Sequence, residues 1–238
     1  MNVFIVYAHQ EPKSFNGALK DTAVETLEAL GHTVKVSDLY AMNFKAIADQ
    51  HDFTELENAD YFKYQTEQIH ASKHDTFTSD ITAELEKLKW ADFVLFQFPL
   101  WWFSMPAILK GWVDRVFAMG SIYGAGIGAY DTGGLKGKKS MLSITTGGPE
   151  LMYSPHGKNG DIHENILFPI HHGILYFSGM DVLPPFIAYS VARDPAKREQ
   201  YIIDFKKRLL SIDTTPVIPY HPSSHYDETM QLKPEFRG

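Results

Sequence analysis

Apolar residues recur along the chain at two spacings that alternate. Val3 to Ala8 is an unbroken apolar run, rich in β-branched and aromatic residues and bounded by polar ones. That pattern predicts a strand buried on both faces, as in a parallel sheet. After it, Leu19, Ala23, Leu27 and Leu30 fall at helical spacing, with Ser14 placed to cap the helix start and Gly31 where helices end in a left-handed residue. The pair of patterns then repeats: a strand over 33–36, a helix carrying Leu85 and Leu88, a strand over 93–96 and a helix over 106–117 with Pro106 near its first turn. A strand over 139–145, a helix over 166–177, a strand near 182–187 and an amphipathic helix over 195–210 close the series. Strand and helix alternating in this way predict an α/β fold, a five-stranded parallel sheet with helices on both faces.

Two stretches break the alternation. Residues 38–79 are too long for a simple connection, carry one helical segment near 61–70, and predict an insertion that serves function or partner contacts. After the main domain, 1–213, the segment 214–238 contains Pro216, Pro219 and Pro222 and lacks periodicity, so it is expected to run extended over the surface or against a second subunit. Composition adds exclusions. A net charge of −7 speaks against a nucleic-acid partner, which would require clustered Lys and Arg. With no cysteine there is no thiolate chemistry and no Cys-based zinc site, so redox chemistry would have to come from a cofactor. The first strand starts directly after Met1-Asn2 with no basic leader, and no apolar run reaches the roughly 18 residues of a membrane span. A cytoplasmic protein is expected, with membrane association only through a protein partner.

In open α/β sheets ligands bind beyond the carboxyl ends of the strands, so the loops after strands one, three and four belong together. The first, His9 to Gly17, lacks the glycines of a P-loop or a Gly-x-Gly-x-x-Gly fingerprint. It does offer a capped helix start, whose free N–H groups and dipole favour a phosphate, with His9 and Ser14 as side-chain donors. An ordinary helix cap with a surface histidine would have the same sequence. The second, Pro99-Leu100-Trp101-Trp102-Phe103, sets three aromatics in a row after a buried strand. Aromatics mostly fill cores, but three in succession cannot all face one core, so at least one should wall the ligand edge. The third, Thr145-Thr146-Gly147-Gly148, either forms a simple turn or lets the backbone approach a ligand and aim N–H groups at it. Tyr153 follows it, a phenol able to donate a proton or a hydrogen bond, and as a lone tyrosine equally a structural one.

The ordered stretches Val6 to Gly17, Val36 to Phe44, Phe96 to Leu100, Trp102-Phe103, Pro106 to Trp112 and Ser143 to Gly148, with Pro222-Ser223-Ser224 in the tail, resemble the NAD(P)H quinone dehydrogenases of the DT-diaphorase type. The likeness spans nearly the whole chain. It implies a flavodoxin-like doubly wound sheet, FAD as the cofactor with FMN as the alternative, and NAD(P)H as co-substrate. It also implies a homodimer with a flavin at each subunit interface, and two-electron hydride transfer from NAD(P)H through the flavin to quinones at one shared site. The family's flavin contacts fall on His9, Ser14, Phe15, Asn16, Pro99, Leu100, Trp102, Phe103, Thr145, Thr146, Gly147 and Gly148. Its substrate pocket falls on Trp102, Phe103, Gly147, Gly148 and Tyr153, with Tyr123 and Phe177 of the partner subunit. Tyr153 then faces charge developing on the flavin and serves as the catalytic phenol.

The chain departs from that pattern in three places. Where some members carry a proton-relaying histidine this chain has Asn159, with His156 nearby read as a surface residue. Where one branch holds a metal on two histidines and a cysteine, only His172 matches: Tyr176 replaces the second histidine and the cysteine is absent. No metal is therefore expected, and His171-His172 reads as a polar helix face. The family's arginine on the FAD phosphate aligns with Glu199, with Arg198 beside it as the candidate cation. Two other functions fit parts of the pattern: a regulatory flavoprotein subunit of a membrane transport system, and a flavodoxin-like electron carrier. The acidic charge favours the carrier, while the pocket aromatics, insertion and tail count against it.

Overall fold

The computed structural model describes residues 1–237. Strands β1 (Asn2–Tyr7), β2 (Thr33–Asp38), β3 (Phe93–Pro99) and β4 (Lys139–Thr145) pair in parallel in the order β2-β1-β3-β4. β5 (Asp181–Val182) and β6 (Phe186–Ala188) both pair with β4 and form the far edge. This is the doubly wound α/β architecture that the alternation predicted. Every residue of β3 is buried, as a strand covered on both faces must be.

Helix α1 (Phe15–Ala29) and α6 (Pro195–Leu210) cover one face, packing Leu19, Ala23, Leu27, Phe205 and Leu209 on Val3, Ile5, Phe93, Leu95 and Met141. Helix α3 (Ser79–Trp90), α4 (Ala107–Val116) and a helical stretch over 162–176 cover the other, against Phe4, Val6, Val94, Phe96, Leu142 and Ile144. Successive strand residues therefore go to opposite cores, the period of two that a pleated backbone imposes.

The insertion holds helix α2 (Tyr64–His74) rather than a helix over 61–70. Its start is displaced because Asn58 Oδ1 accepts from the N–H groups of Asp60 and Tyr61, while the buried Glu67 carboxylate accepts from Glu57 and Asn58. These bonds offer the backbone an alternative to helix. The insertion is pinned to α4 by charge. Asp52 is fully buried and accepts from Arg115 Nε at 3.0 Å, Lys45 Nζ at 2.9 Å and the Tyr64 hydroxyl at 2.7 Å. Arg115, 1% exposed on α4, also pairs with Asp80 at 2.8 Å and donates to the Lys45 carbonyl at 2.9 Å.

Two further predicted elements come out altered. The edge strand expected near 182–187 is broken by Pro184 and Pro185, which donate no ladder bond. From Lys139↔Asp181 to Ser143↔Phe186 it uses one residue more than β4, so it bulges. The helix expected over 166–177 starts at Ile162 on an Asp161 cap and is π-helical over Ile162–Leu167 and His171–Tyr176, with only α5 (Phe168–Ile170) in α form. Pro169 lies within it; lacking an N–H and crowding the preceding turn, it loosens the α pattern. His171 is buried with an unpartnered Nε2, and burial pushes its pKa down to about 4 with help from His163, so it does not belong to a polar face. His172 is half-buried, stacked on Phe168.

The tail is extended only at first, where Ile218 N–H donates to the Val182 carbonyl and covers the sheet edge. Beyond it the chain turns back, with Tyr226 bridging Leu232, and Asp227 accepting from Thr229 and Gln231 holds the turn. Asp131 docks this unit by accepting from both the hydroxyl and the N–H of Ser223. No helix among the described residues is long and apolar enough to cross a membrane.

Two outcomes test these contacts. Arg115→Met removes one partner of a buried ion pair and should cost about 3–5 kcal/mol in urea unfolding, the usual cost of such a change; a loss under about 1 kcal/mol would show that the pair does not hold the insertion. The Asp131 carboxyl is held below the ordinary carboxylate range, first by the Ser223 hydroxyl and then by its N–H. A carboxyl lowered in the folded state supports docking above its ordinary range and ceases to as pH falls through the lowered value. Amide protection factors at Ser223 to Tyr226, taken relative to intrinsic exchange at each pH, should fall in acid and be low at all pH in Asp131→Ala; protection surviving full acidification would contradict this.

Candidate active site

β1, β3 and β4 run in one direction with Tyr7, Gln97 and Ser143 in line, so the loops after them emerge together. A cavity of about 320 Å³ opens there. The first loop contributes His9, Ser14, Phe15 and Asn16, the second Pro99, Leu100 and Trp101, and the third Thr145, Thr146 and Gly147. The loop after β6 adds Val191 and Ala192, and α6 adds Arg198.

The α1 start is built as its sequence predicts. Ser14 is the N-cap and its hydroxyl accepts from Gly17 N at 3.1 Å. Gly17 has to be glycine, because a Cβ there would lie 2.0 Å from the Pro12 carbonyl oxygen. His9 Nδ1 is engaged with Glu11, 3.0 Å from its N–H and 3.2 Å from its carbonyl oxygen, which leaves Nε2 as the ring nitrogen for a ligand. Arg198 brings a cation whose Nε is buried without a partner among the described residues. A helix N-terminus, a histidine and a guanidinium on one cavity could together hold an anion such as phosphate.

Beneath the loops runs a buried polar tie. Gln97 Nε2 donates to Asn16 Oδ1 at 2.9 Å, and Asn16 Nδ2 donates to Thr145 Oγ1 at 2.9 Å. Leu100 N–H donates to the Thr145 carbonyl, Thr146 N–H to Ala188, and Ser190 N–H to Gly148, so the third loop is held from both sides.

The other predicted residues lie apart from this cavity. Trp101 and Ser104 exchange backbone bonds around a tight turn whose central residues, Trp102 and Phe103, have φ of 50° and 59°. Bulky residues seldom adopt that left-handed region, and here it thrusts Trp102 out, 95% exposed, with Phe103 half-exposed. Tyr153 packs over Gly148, where an added Cβ would meet its ring at 3.2 Å, and its ring lies 5.9 Å from that of Tyr189. Asn159 N–H donates to the carbonyl of Met152, tying it next to Tyr153, while His156 is exposed as expected. Tyr123 and Phe177 pack edge-on, centroids 5.3 Å apart, in a different cavity of about 420 Å³ that is walled by α2. The Tyr123 hydroxyl accepts from Gln65 there. The two cavities share no residue, so one chain does not unite the predicted substrate groups.

The sequence matches the family described as flavodoxin-like fold over residues 1–211. It is 47% identical over 228 residues to mouse ribosyldihydronicotinamide dehydrogenase (quinone), covering 95% of this chain and 98% of that one. With rat NAD(P)H dehydrogenase (quinone) 1 it shares 45% over 229 residues, covering 95% of this chain and 83% of the relative. The chain belongs to the NAD(P)H quinone dehydrogenase family of the flavodoxin-like superfamily. A solved protein of Klebsiella pneumoniae, described as a candidate quinone reductase, superposes with a TM-score of 0.95 at 42% identity, covering all of this chain (100%) and 95% of the other.

Trp101, Val191 and Ala192 line the cavity without having been singled out. Trp101 stood in the aromatic run. Val191 and Ala192 carry no chemical signal, and only the strand-end rule applied to the last strand would have found them. Gly17→Ala should force the 9–14 loop away from α1 and cost about 1–3 kcal/mol, a fall in melting midpoint of roughly 2–10 °C for a domain of this size; an unchanged midpoint would refute the tight Pro12 contact.

Proposed function

We propose that this chain is a homodimeric NAD(P)H:quinone oxidoreductase that holds FAD in the strand-end cavity. The observation that carries the reading is the buried, unpartnered Nε of Arg198 on the cavity that also takes the α1 N-terminus. A dinucleotide's paired phosphates supply the negative charge that both features lack. Bound there, FAD supplies a two-electron carrier, taking a hydride from NAD(P)H and passing it to a quinone.

The chain's own groups have separable tasks. His9, Ser14 and Arg198 would bind phosphate; Phe15, Asn16, Pro99 and Leu100 would seat the cofactor; the N–H groups of Gly147 and Gly148 would donate to its acceptor atoms, the Thr146 N–H being taken by Ala188. Trp102 and Phe103 form an aromatic wall that excludes water and orients flat substrates. Their exposure in the single chain, and the placement of Tyr123 and Phe177 in a separate cavity, support a site completed by a second copy. Tyr153 holds a proton at its hydroxyl oxygen for the site. Asn159 has no titratable proton, so it orients rather than relays.

The purified protein should show flavin absorbance, release FAD on denaturation, sediment as a dimer and oxidise NADH or NADPH with a simple quinone. Absence of flavin would overturn the reading, and release of FMN would overturn its choice of cofactor. Arg198→Met should weaken FAD binding by roughly 10- to 100-fold, the usual range for a lost charged hydrogen bond. Tyr153→Phe should slow flavin reduction in stopped flow by on the order of tenfold or more with flavin content intact; unchanged rates would remove the phenol from the chemistry.

A further inference from the structure

We propose that Gln97 is a positioning residue for the cofactor: its side-chain N–H fixes the direction of the Asn16 carboxamide and so leaves the Thr145 hydroxyl a donor toward the cavity. The inference rests on the strand-end cavity being the flavin site. Gln97 is fully buried, Asn16 and Thr145 nearly so, and the three are joined by two bonds of 2.9 Å running in one sense, Gln97 to Asn16 to Thr145. Asn16 and Thr145 line the cavity; Gln97 does not, and acts only through them.

The sense of the chain matters because a carboxamide has one donor end and one acceptor end. With Gln97 donating, Asn16 receives on its oxygen and presents its NH₂ to Thr145, whose oxygen is then occupied as an acceptor. Among the described residues the Thr145 hydroxyl proton has no acceptor, so it is available to a ligand. Were Gln97 to present oxygen instead, Asn16 would turn over and take the Thr145 proton, leaving that hydroxyl an acceptor. Phosphates and the ring carbonyls and imine nitrogens of a flavin are acceptors, and only the observed sense serves them. Asn16 comes from the start of α1, Gln97 from β3 and Thr145 from the end of β4, so the same tie also holds the three loops in mutual register.

Gln97→Glu in the full chain tests this, because the substituted side chain donates when neutral and only accepts when ionised. The ratio of variant to wild-type FAD dissociation constants should stay near one in acid and rise about tenfold as the carboxyl ionises, the effect of one reversed hydrogen bond. The rise should vanish when Thr145→Val is present in both proteins, an outcome that a general packing defect does not produce. Gln97→Met, which cannot ionise, should raise the constant at every pH with Thr145 present and not in the Thr145→Val background, and it serves if the first variant does not fold. A pH-independent ratio, or the same rise without the hydroxyl, would overturn the role of Gln97. A wild type that binds no flavin would instead refute the reading of the cavity.

Discussion

The parallel register of β1, β3 and β4 is the constraint on which the rest of this structure depends. With Tyr7, Gln97 and Ser143 in line, the chain leaves the sheet three times at one level, and three sequence-distant loops meet at one edge. The N–H groups just past each strand are still bonded, Ala8 to Gln97, Leu100 to Thr145 and Thr146 to Ala188, so the donors there come from the loops beyond and from the first turn of α1. The edge is therefore rich in donors. The buried bonds from Gln97 through Asn16 to Thr145 keep those donors at fixed separation, so the cavity is preorganised rather than assembled by its ligand.

A second constraint acts on the other half of the chain. Asp52 and Arg115 are both almost fully buried, and their separation from water is costly unless every oxygen and nitrogen is bonded. Here Lys45, Tyr64, Asp80 and a backbone carbonyl complete the set. The result is directional: the insertion has one place where its buried acid is satisfied, and that place sets α2 against α4. Tyr64, Gln65 and Gln68 thereby become the wall facing Tyr123 and Phe177. An ion pair far from the strand ends thus shapes the second cavity.

Two departures from regular geometry involve aromatic residues. Trp102 and Phe103 take up a left-handed turn that neither residue favours, and two backbone bonds between Trp101 and Ser104 hold them there. The π-helical stretch around Pro169 carries Phe177 at its end, with Tyr130 at 5.1 Å and Tyr123 at 5.3 Å edge-on to it. The tail fixes the same cluster from outside through Asp131 and the bond from Tyr176 to the His221 carbonyl.

Much of this was legible in the order of residues alone, because local rules decided it. Unbroken apolar runs mark doubly covered strands, Ser14 and Gly31 mark the ends of α1, and strand-end loops in such a sheet are where ligands go. The sense of the bulge at Pro184-Pro185, the start of α2 at Tyr64 and the burial of His171 were not legible in that way, since each depends on a partner distant in sequence or on a competing side-chain bond. Arg198 shows the division most clearly. The resemblance aligned Glu199 with the family's arginine and left Arg198 beside it as the candidate cation. Only the packing of α6 against the sheet turned that guanidinium onto the cavity and left its Nε without a partner, because burial and unmet hydrogen bonds are properties of the assembled fold and not of any stretch of chain.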